Sequence, residues 1–344
     1  MLPSTGEFRL VQILDIHQET SDVKTFVLNE EMDYRAGQFL TVLSQDGNQR
    51  RSYSFSTAPG IDKNPAITVK RVANGVVSRH LIDELKPGDH ISVSGPFGFF
   101  TLPDDMTSYR QVVLLAAGVG ITPILSLLRS LLSEFPDVHT TLIYSNSSKK
   151  SAIFYSELQE LEHLHPNKLV AEFLFSNSPN LLRARLNKQF LPELLHQHLK
   201  ADNEKTLFYL CGPFPYMRMV QLALEEENVP AQNIKKENFN TSVITQKLEP
   251  PDKESHSVSI TFKGERRVFE TAYPDTILSS AKKAGLELPY SCENGICGSC
   301  VAQCTHGKVW HRNNEVLTDA ELKKGLILTC TGYPVEGNIE LTIK

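Results

Sequence analysis

Short alternations of apolar and polar residues fill the first hundred positions. They occupy residues 10–16, 25–28, 39–43, 53–56, 67–72 and 91–94, each bounded by turn-forming residues, as expected for strands buried on one side. A single helix is expected before residue 105, with Ser78 as N-cap, Leu81, Ile82 and Leu85 on its buried face, and Lys86-Pro87-Gly88 as its stop. Six strands and one helix predict a small antiparallel β-barrel over residues 1–105.

The texture changes near residue 108. Uniformly apolar runs at 112–117, 140–144, 169–175 and 206–211 alternate with helical patterns at 123–132, 154–163 and 215–226. Strands apolar on both faces, separated by helices, predict an α/β unit over 106–240 whose parallel sheet is covered on both sides. Residues 241–257, with Pro250-Pro251 and several charges, read as a linker. Beyond it, strands at 258–262 and 267–270 precede a helix opening at Asp275. Ile277, Leu278, Ala281 and Ala284 line one face of that helix and Gly285 ends it.

Length and composition fit this division. A chain of 344 residues exceeds one ordinary core, and 40% hydrophobic with 22% charged residues is a globular balance. Basic residues are scattered and the net charge is -5, which argues against nucleic acid as a partner. The first ten residues lack a secretion signal, and the apolar run 112–125, broken by Gly118, Gly120, Thr122 and Pro123, is shorter than the ~20 residues of a membrane span. A cytoplasmic protein without a transmembrane segment is expected.

Of six cysteines, four crowd between 292 and 304, which points to a metal rather than a disulfide scaffold. Cys292, Cys297 and Cys300 are spaced C-x4-C-x2-C, and Cys330 follows after 29 intervening residues, the plant-type spacing for a [2Fe-2S] cluster. Four thiolates suit two irons, whereas a structural zinc site favours two separate C-x2-C pairs. Gly295 and Gly298 would let the loop wrap closely where a Cβ would crowd the cluster. Cys304 lies outside the spacing and reads as an ordinary thiol. Through Cys292, Gly295, Cys297, Gly298, Cys300 and Leu328-Thr329-Cys330, residues 258–344 resemble a plant-type ferredoxin domain, which implies an α+β, β-grasp fold.

Arg51, Tyr53 and Ser54 form an R-x-Y-S element on a barrel strand. It follows Gly37-Gln38-Phe39 and precedes Val69-Lys70-Arg71 and Gly75-Val76-Val77-Ser78. In that order, residues 8–240 resemble the ferredoxin-NADP reductase superfamily. The resemblance implies that Arg51 pairs with a flavin pyrophosphate, Tyr53 lies against the isoalloxazine ring and Ser54 bonds near its reactive edge. Val69 falls in the same flavin-binding set, and Gly75, Val76, Val77 and Ser78 would offer backbone N–H groups to phosphates. FAD is the expected flavin, although relatives include FMN enzymes.

Gly118-Val119-Gly120-Ile121-Thr122-Pro123 joins a strand to a helix. Gly118 and Gly120 would admit a pyrophosphate, beside Thr122, while Pro123 suits a first helical turn. Cys211-Gly212-Pro213, with Met217 downstream, resembles the element that meets the nicotinamide, Cys211 standing beside the hydride-donating carbon. Phe239 would control nicotinamide access. The stretch 145–150, Ser-Asn-Ser-Ser-Lys-Lys, favours NADH and leaves NADPH open. Tyr53, Ser54 and Cys211 are the expected catalytic residues.

Nicotinamide yields two electrons as hydride and an iron–sulfur cluster accepts one, so a flavin between them is the converter. The order flavin, nicotinamide, cluster resembles reductase components of bacterial ring-oxygenating systems, the phenylacetyl-CoA epoxidase reductase among them, and the reductase of hybrid-cluster protein. It implies an NAD(P)H-dependent reductase serving a protein acceptor, an oxygenase first and hybrid-cluster protein or another redox partner as the alternative. A cluster-based redox sensor or interaction module is the reading of a different class.

Overall fold

The computed structural model describes residues 8–239 and 248–343. Its first part is a six-stranded antiparallel sheet of β1 (Arg9–Thr20), β2 (Val23–Leu28), β3 (Phe39–Leu43), β4 (Arg50–Ser54), β5 (Ala66–Lys70) and β6 (His90–Phe97), ordered β4-β3-β6-β1-β2-β5. A bridge between Phe55 and Ile67 joins the two edges, so the sheet closes as a barrel. Inward-facing Val11, Ile13, Phe26, Leu40, Val42 and Val93 fill it. Helix α1 (Val76–Asp83) caps one end, burying Val77, Leu81 and Ile82. The helix starts earlier than expected: Gly75, not Ser78, is its N-cap. Ser78 is already buried in the first turn, where its hydroxyl accepts the Val72 N–H at 3.1 Å and ties the preceding loop to the helix.

The second part is a five-stranded parallel sheet of β7 (Gln111–Ala117), β8 (His139–Asn146), β9 (Leu169–Phe175), β10 (Thr206–Cys211) and β11 (Ile234–Glu237), in the order β11-β10-β7-β8-β9. Alternate residues of β7 explain its unbroken apolar character. Val112, Leu114 and Ala116 face α2 (Ile121–Glu134) and α3 (Tyr155–Leu164), whereas Val113 and Leu115 face α4 (Phe190–His198) and α5 (Phe214–Glu226). Sequence periodicity overlooks α4 and β11. The former is nine residues long and carries Pro192 in its first turn; the latter has two lysines in four positions.

In the third part, β12 (His256–Phe262), β13 (Glu265–Thr271), β14 (Val301–His311), β15 (Leu326–Leu328) and β16 (Gly332–Ile343) form a sheet ordered β13-β12-β16-β14-β15. Only β12 and β16 run parallel, which with α6 (Ile277–Lys283) across the sheet gives the β-grasp arrangement. Helix α7 (Asp319–Lys323) is the other helix of this part among the described residues. α6 opens one residue later than expected: Thr276 is the N-cap, its hydroxyl accepting the Ser279 N–H at 3.2 Å, and Asp275 stands outside to pair with Lys283. Of the expected linker, 241–247 lie outside the described residues, 248–255 carry no helix or strand, and His256 and Ser257 already belong to β12. No helix among the described residues is long and apolar enough to cross a membrane.

Candidate functional site

Barrel and parallel sheet are fixed to each other by buried and half-buried polar groups. Arg129 on α2 donates to both oxygens of Asp62, at 2.7 and 2.6 Å, and to Glu157 of α3 at 2.9 Å. Ser126 donates to Thr57 O at 2.5 Å and Tyr209 to Thr101 O at 2.8 Å. Gly37 fits under this seam because a Cβ there would stand 2.0 Å from Phe100 O.

Between β4, the start of α1 and the start of α2 lies a cavity of about 410 Å³, a size suited to a cofactor. Arg51, Tyr53 and Ser54 of β4 form one wall; Gly75, Val77 and Ser78 form another, with Thr122, Phe239 and the cysteine loop residues Cys292, Ile296 and Cys297 at its far side. Alternation along β5 places Thr68 and Lys70 on the wall and Val69 in the barrel core, and the Val76 side chain points to solvent. Apolar Tyr53, Val72, Val77 and Val119 beside cationic Arg51 and Lys70 fit a flat aromatic ring system with an anionic tail. Arg51 is steadied by donating to Arg50 O at 2.8 Å and Gln49 Oε1 at 3.1 Å.

Ser54 is buried and donates at 3.0 Å to Oε2 of Glu237, which ends β11 and also borders the cavity. Burial pushes the Glu237 carboxyl up to about 8, against a smaller lowering by the Ser54 hydrogen bond. Cys211 pairs with Glu237 across β10 and β11; burial and then that carboxylate raise its thiol well above the ordinary range. A thiol held neutral here can pack against a ligand but is a poor nucleophile. Motif reading passes over Glu237 as a functional group. It ends a strand two residues before Phe239, in a local pattern no different from that of a surface charge.

β7 leads outward to β8 on one side, while β10 and β11 lie on the other, so the ends of β7 and β10 flank the crevice where open parallel sheets bind nucleotides. Gly118 turns there with φ +56° and open space around it, and Tyr144 OH donates to its carbonyl at 3.1 Å. Gly120 serves a different purpose from the one expected: a Cβ there would lie 2.2 Å from Cys211 O, so its absence lets the two strand ends approach. Gly212 and Pro213 lead from β10 into α5, where Met217 is packed in the core; Pro123 is buried in the first turn of α2, and Thr122 donates to Val119 O at 3.1 Å. Near the crevice, the buried hydroxyls of Ser145 and Tyr216 face each other and meet no other polar partner, a pair that a polar ligand could engage.

Cys292, Cys297, Cys300 and Cys330 come together between the third sheet and the cavity. Hydrogen bonds from Cys297 and Cys330 hold the Cys292 thiol well below its usual range, and Cys330 also meets Cys300. Asn294 N–H points at Cys292 Sγ from 3.4 Å. The sulfurs run from Cys297 through Cys292 and Cys330 to Cys300, and four thiols gathered in this way are a donor set that fits two irons with two thiolates each. Gly295 and Gly298 have φ near +71° and +78°, but the obstacles a Cβ would meet are protein atoms: Asn313 O at 2.5 Å for Gly295, and Val316 and Phe99 for Gly298. Cys304 stands apart, its Sγ donating to His306 O at 3.2 Å.

Comparison with known proteins matches this geometry part by part. Family models for an oxidoreductase FAD-binding domain, an oxidoreductase NAD-binding domain and a 2Fe-2S iron-sulfur cluster binding domain match residues 8–102, 114–222 and 260–335. Over 353 residues the chain is 31% identical to the ferredoxin reductase component of 3-ketosteroid-9-alpha-monooxygenase from Mycobacterium tuberculosis, covering 96% of this chain and 95% of that protein. The chain belongs to this family of ferredoxin reductase components. The reductase is also 28% identical over 355 residues to a component of 1,2-phenylacetyl-CoA epoxidase from Escherichia coli, covering 96% of each. Its fold matches phthalate dioxygenase reductase with a TM-score of 0.60, 26% identity and 98% coverage of both chains. The reductase is thus an NAD(P)H-dependent flavin and iron–sulfur oxidoreductase with FAD and [2Fe-2S] as cofactors.

Proposed function

We propose that this reductase draws electrons from NAD(P)H across the cavity to the cysteine loop and delivers them to the terminal component of an oxygenase. One observation carries the reading: Ser54 and Cys297 border the same cavity, so a flavin seated there would have the nicotinamide crevice on one side and the cluster ligands on the other. When bound, flavin takes two electrons as hydride and passes them on singly.

The residues have separate tasks in this reading. Arg51 binds the flavin phosphates, with the N–H groups of Gly75 to Ser78 at the start of α1. Tyr53 supports the ring, and Ser54 with Glu237 holds a proton at its reactive edge. Gly118, Thr122, Gly212 and Pro213 shape the nicotinamide crevice, Cys211 packs against the reacting carbon, and Phe239 covers the ring face until nicotinamide displaces it. Cys292, Cys297, Cys300 and Cys330 ligate the two irons. Four cysteines used as thiolate ligands, with the further thiols Cys211 and Cys304, suit a reducing, cytoplasmic setting.

The oxygenase acceptor is supported by the relatives, which serve a ketosteroid monooxygenase and an epoxidase. The test is to replace the native reductase with this protein in a reconstituted oxygenase assay with NADH. Product formation is expected. Rapid cytochrome c reduction with no product from any such system would overturn the acceptor assignment, and a single stoichiometric NADH oxidation without turnover would favour a sensor.

A further inference from the structure

The barrel strand that faces the flavin cavity and the loop that carries the cysteines meet in a set of contacts at the edge of that cavity, whose lining includes Arg50, Ser52 and Ser291. Arg50 Nη1 donates to Tyr290 O at 3.2 Å, and its guanidinium carbon stands 3.7 Å from the Tyr290 ring centroid. Lys282 on α6 brings Nζ to 3.5 Å from the same centroid. Two cations at those distances cannot share one face, so they bracket the ring. Two residues beyond Arg50, Ser52 Oγ lies 2.9 Å from Ser291 Oγ. Lys282 also pairs at 3.0 Å with Glu293, the residue directly after Cys292, which adopts φ +55°.

Each contact therefore acts within three residues of the first cysteine of the loop. Tyr290 ties that loop both to its own sheet, through α6, and to the barrel, through β4. A ring held on two faces resists both sliding and tilting, and cation–π contacts between planar groups are directional. Electron tunnelling falls steeply with separation, so a loop released from β4 would slow transfer while the barrel and nicotinamide-side walls of the cavity stay in place.

We propose that Tyr290, gripped by Arg50 and Lys282, is a positioning residue that fixes the cysteine loop against β4 and sets the rate of electron passage from flavin to cluster. This rests on the cofactor sites read above. One NADH supplies two electrons, two equivalents of a one-electron acceptor are reduced, and one proton is released; the clamp governs the rate of the inner transfer and leaves that balance unchanged.

The test uses the full-length holoprotein with Tyr290→Leu, Tyr290→Phe, Arg50→Met and the Tyr290→Leu/Arg50→Met pair. Anaerobic stopped-flow absorbance follows flavin reduction by NADH and then cluster reduction. Hydrogen–deuterium exchange follows the amides of segments 50–54 and 288–293. Tyr290→Leu should reduce its flavin at the wild-type rate, slow cluster reduction at least about tenfold, as a small misplacement does, and raise exchange in both segments. Tyr290→Phe, keeping the ring, should match wild type in both readouts. The double variant should be no slower than the slower single, because both remove one interaction. Wild-type cluster reduction and unchanged exchange in Tyr290→Leu with full iron and sulfide content, or additive losses in the pair, would overturn the proposal. If Tyr290→Leu loses iron, Lys282→Met is read in its place against the same two criteria. A wild-type protein whose flavin NADH does not reduce would refute the underlying site reading instead.

Discussion

Ser54 of the barrel and Glu237 at the end of the parallel sheet are joined by a 3.0 Å hydrogen bond from hydroxyl to carboxyl, on the wall of the cavity assigned to flavin. The bond crosses from one part of the molecule to another, and it sets an exchangeable proton in the wall of that cavity.

Glu237, raised from 4.5 to about 8 by burial, keeps its proton at neutral pH. Turnover with a one-electron acceptor should therefore change with an inflection near about pH 8, and Glu237→Gln should lack that inflection. Stability gives a second readout. Between pH 4.5 and 8 the folded protein holds a proton that the unfolded chain has released, so this group's contribution falls as pH rises through that window. The Tm of Glu237→Gln relative to wild type should therefore rise from about pH 5 to about pH 8, measured calorimetrically.

Gly118 and Gly120 should respond differently to alanine. At Gly120 the new Cβ meets Cys211 O at 2.2 Å, backbone against backbone, so roughly 3 kcal/mol or more of stability is lost. At Gly118 the space is open and only the φ of +56° is strained, at about 1 kcal/mol. Its effect should appear in the KM for NADH. Thermal denaturation and steady-state kinetics on both variants separate the two roles.

These glycines show what the sequence makes legible. Their motif, the strand before them and the helix after them are all readable, because the apolar run and the turn residues are local. That Gly120 serves a strand-to-strand approach is not, since Cys211 lies 91 positions away. The same holds for the cysteines. Their spacing announces a two-iron donor set, whereas the demand for glycine at 298, where a Cβ would press on Phe99 of the barrel side, depends on packing between distant parts. Ser78 misleads for a related reason: its hydroxyl bonds backward to Val72, so a residue type suited to capping lies inside the helix. Arg50 and Glu237 lack any local pattern that distinguishes them from surface charges.

Arg129 joins the two parts that embrace the nicotinamide crevice, and its side chain is 22% exposed. Arg129→Met would leave Asp62 and Glu157 facing each other without a cation. The expected loss is about 2–3 kcal/mol, below that of a fully buried pair because water reaches this one. Denaturant titration measures it, and high salt should reduce the difference.

His311 is pushed down to about 4 by burial and accepts the Leu328 N–H at 3.0 Å through Nε2. The unfolded chain binds a proton near 6.5 that the folded one refuses, so this contribution is complete above that pH and is lost as pH falls toward 4. His311→Gln should flatten the acid limb of the stability curve over that range, followed by the near-ultraviolet signal of Trp310.

Anaerobic NADH titration of the holoprotein, read together by absorbance and electron paramagnetic resonance, tests the central path most directly. The flavin band should bleach and a reduced [2Fe-2S] signal should appear within the same sample, while a Cys330→Ser variant bleaches without it. Iron-replete wild-type protein whose flavin is fully reduced and whose cluster stays oxidised, with a dithionite-reducible signal still present, would contradict it.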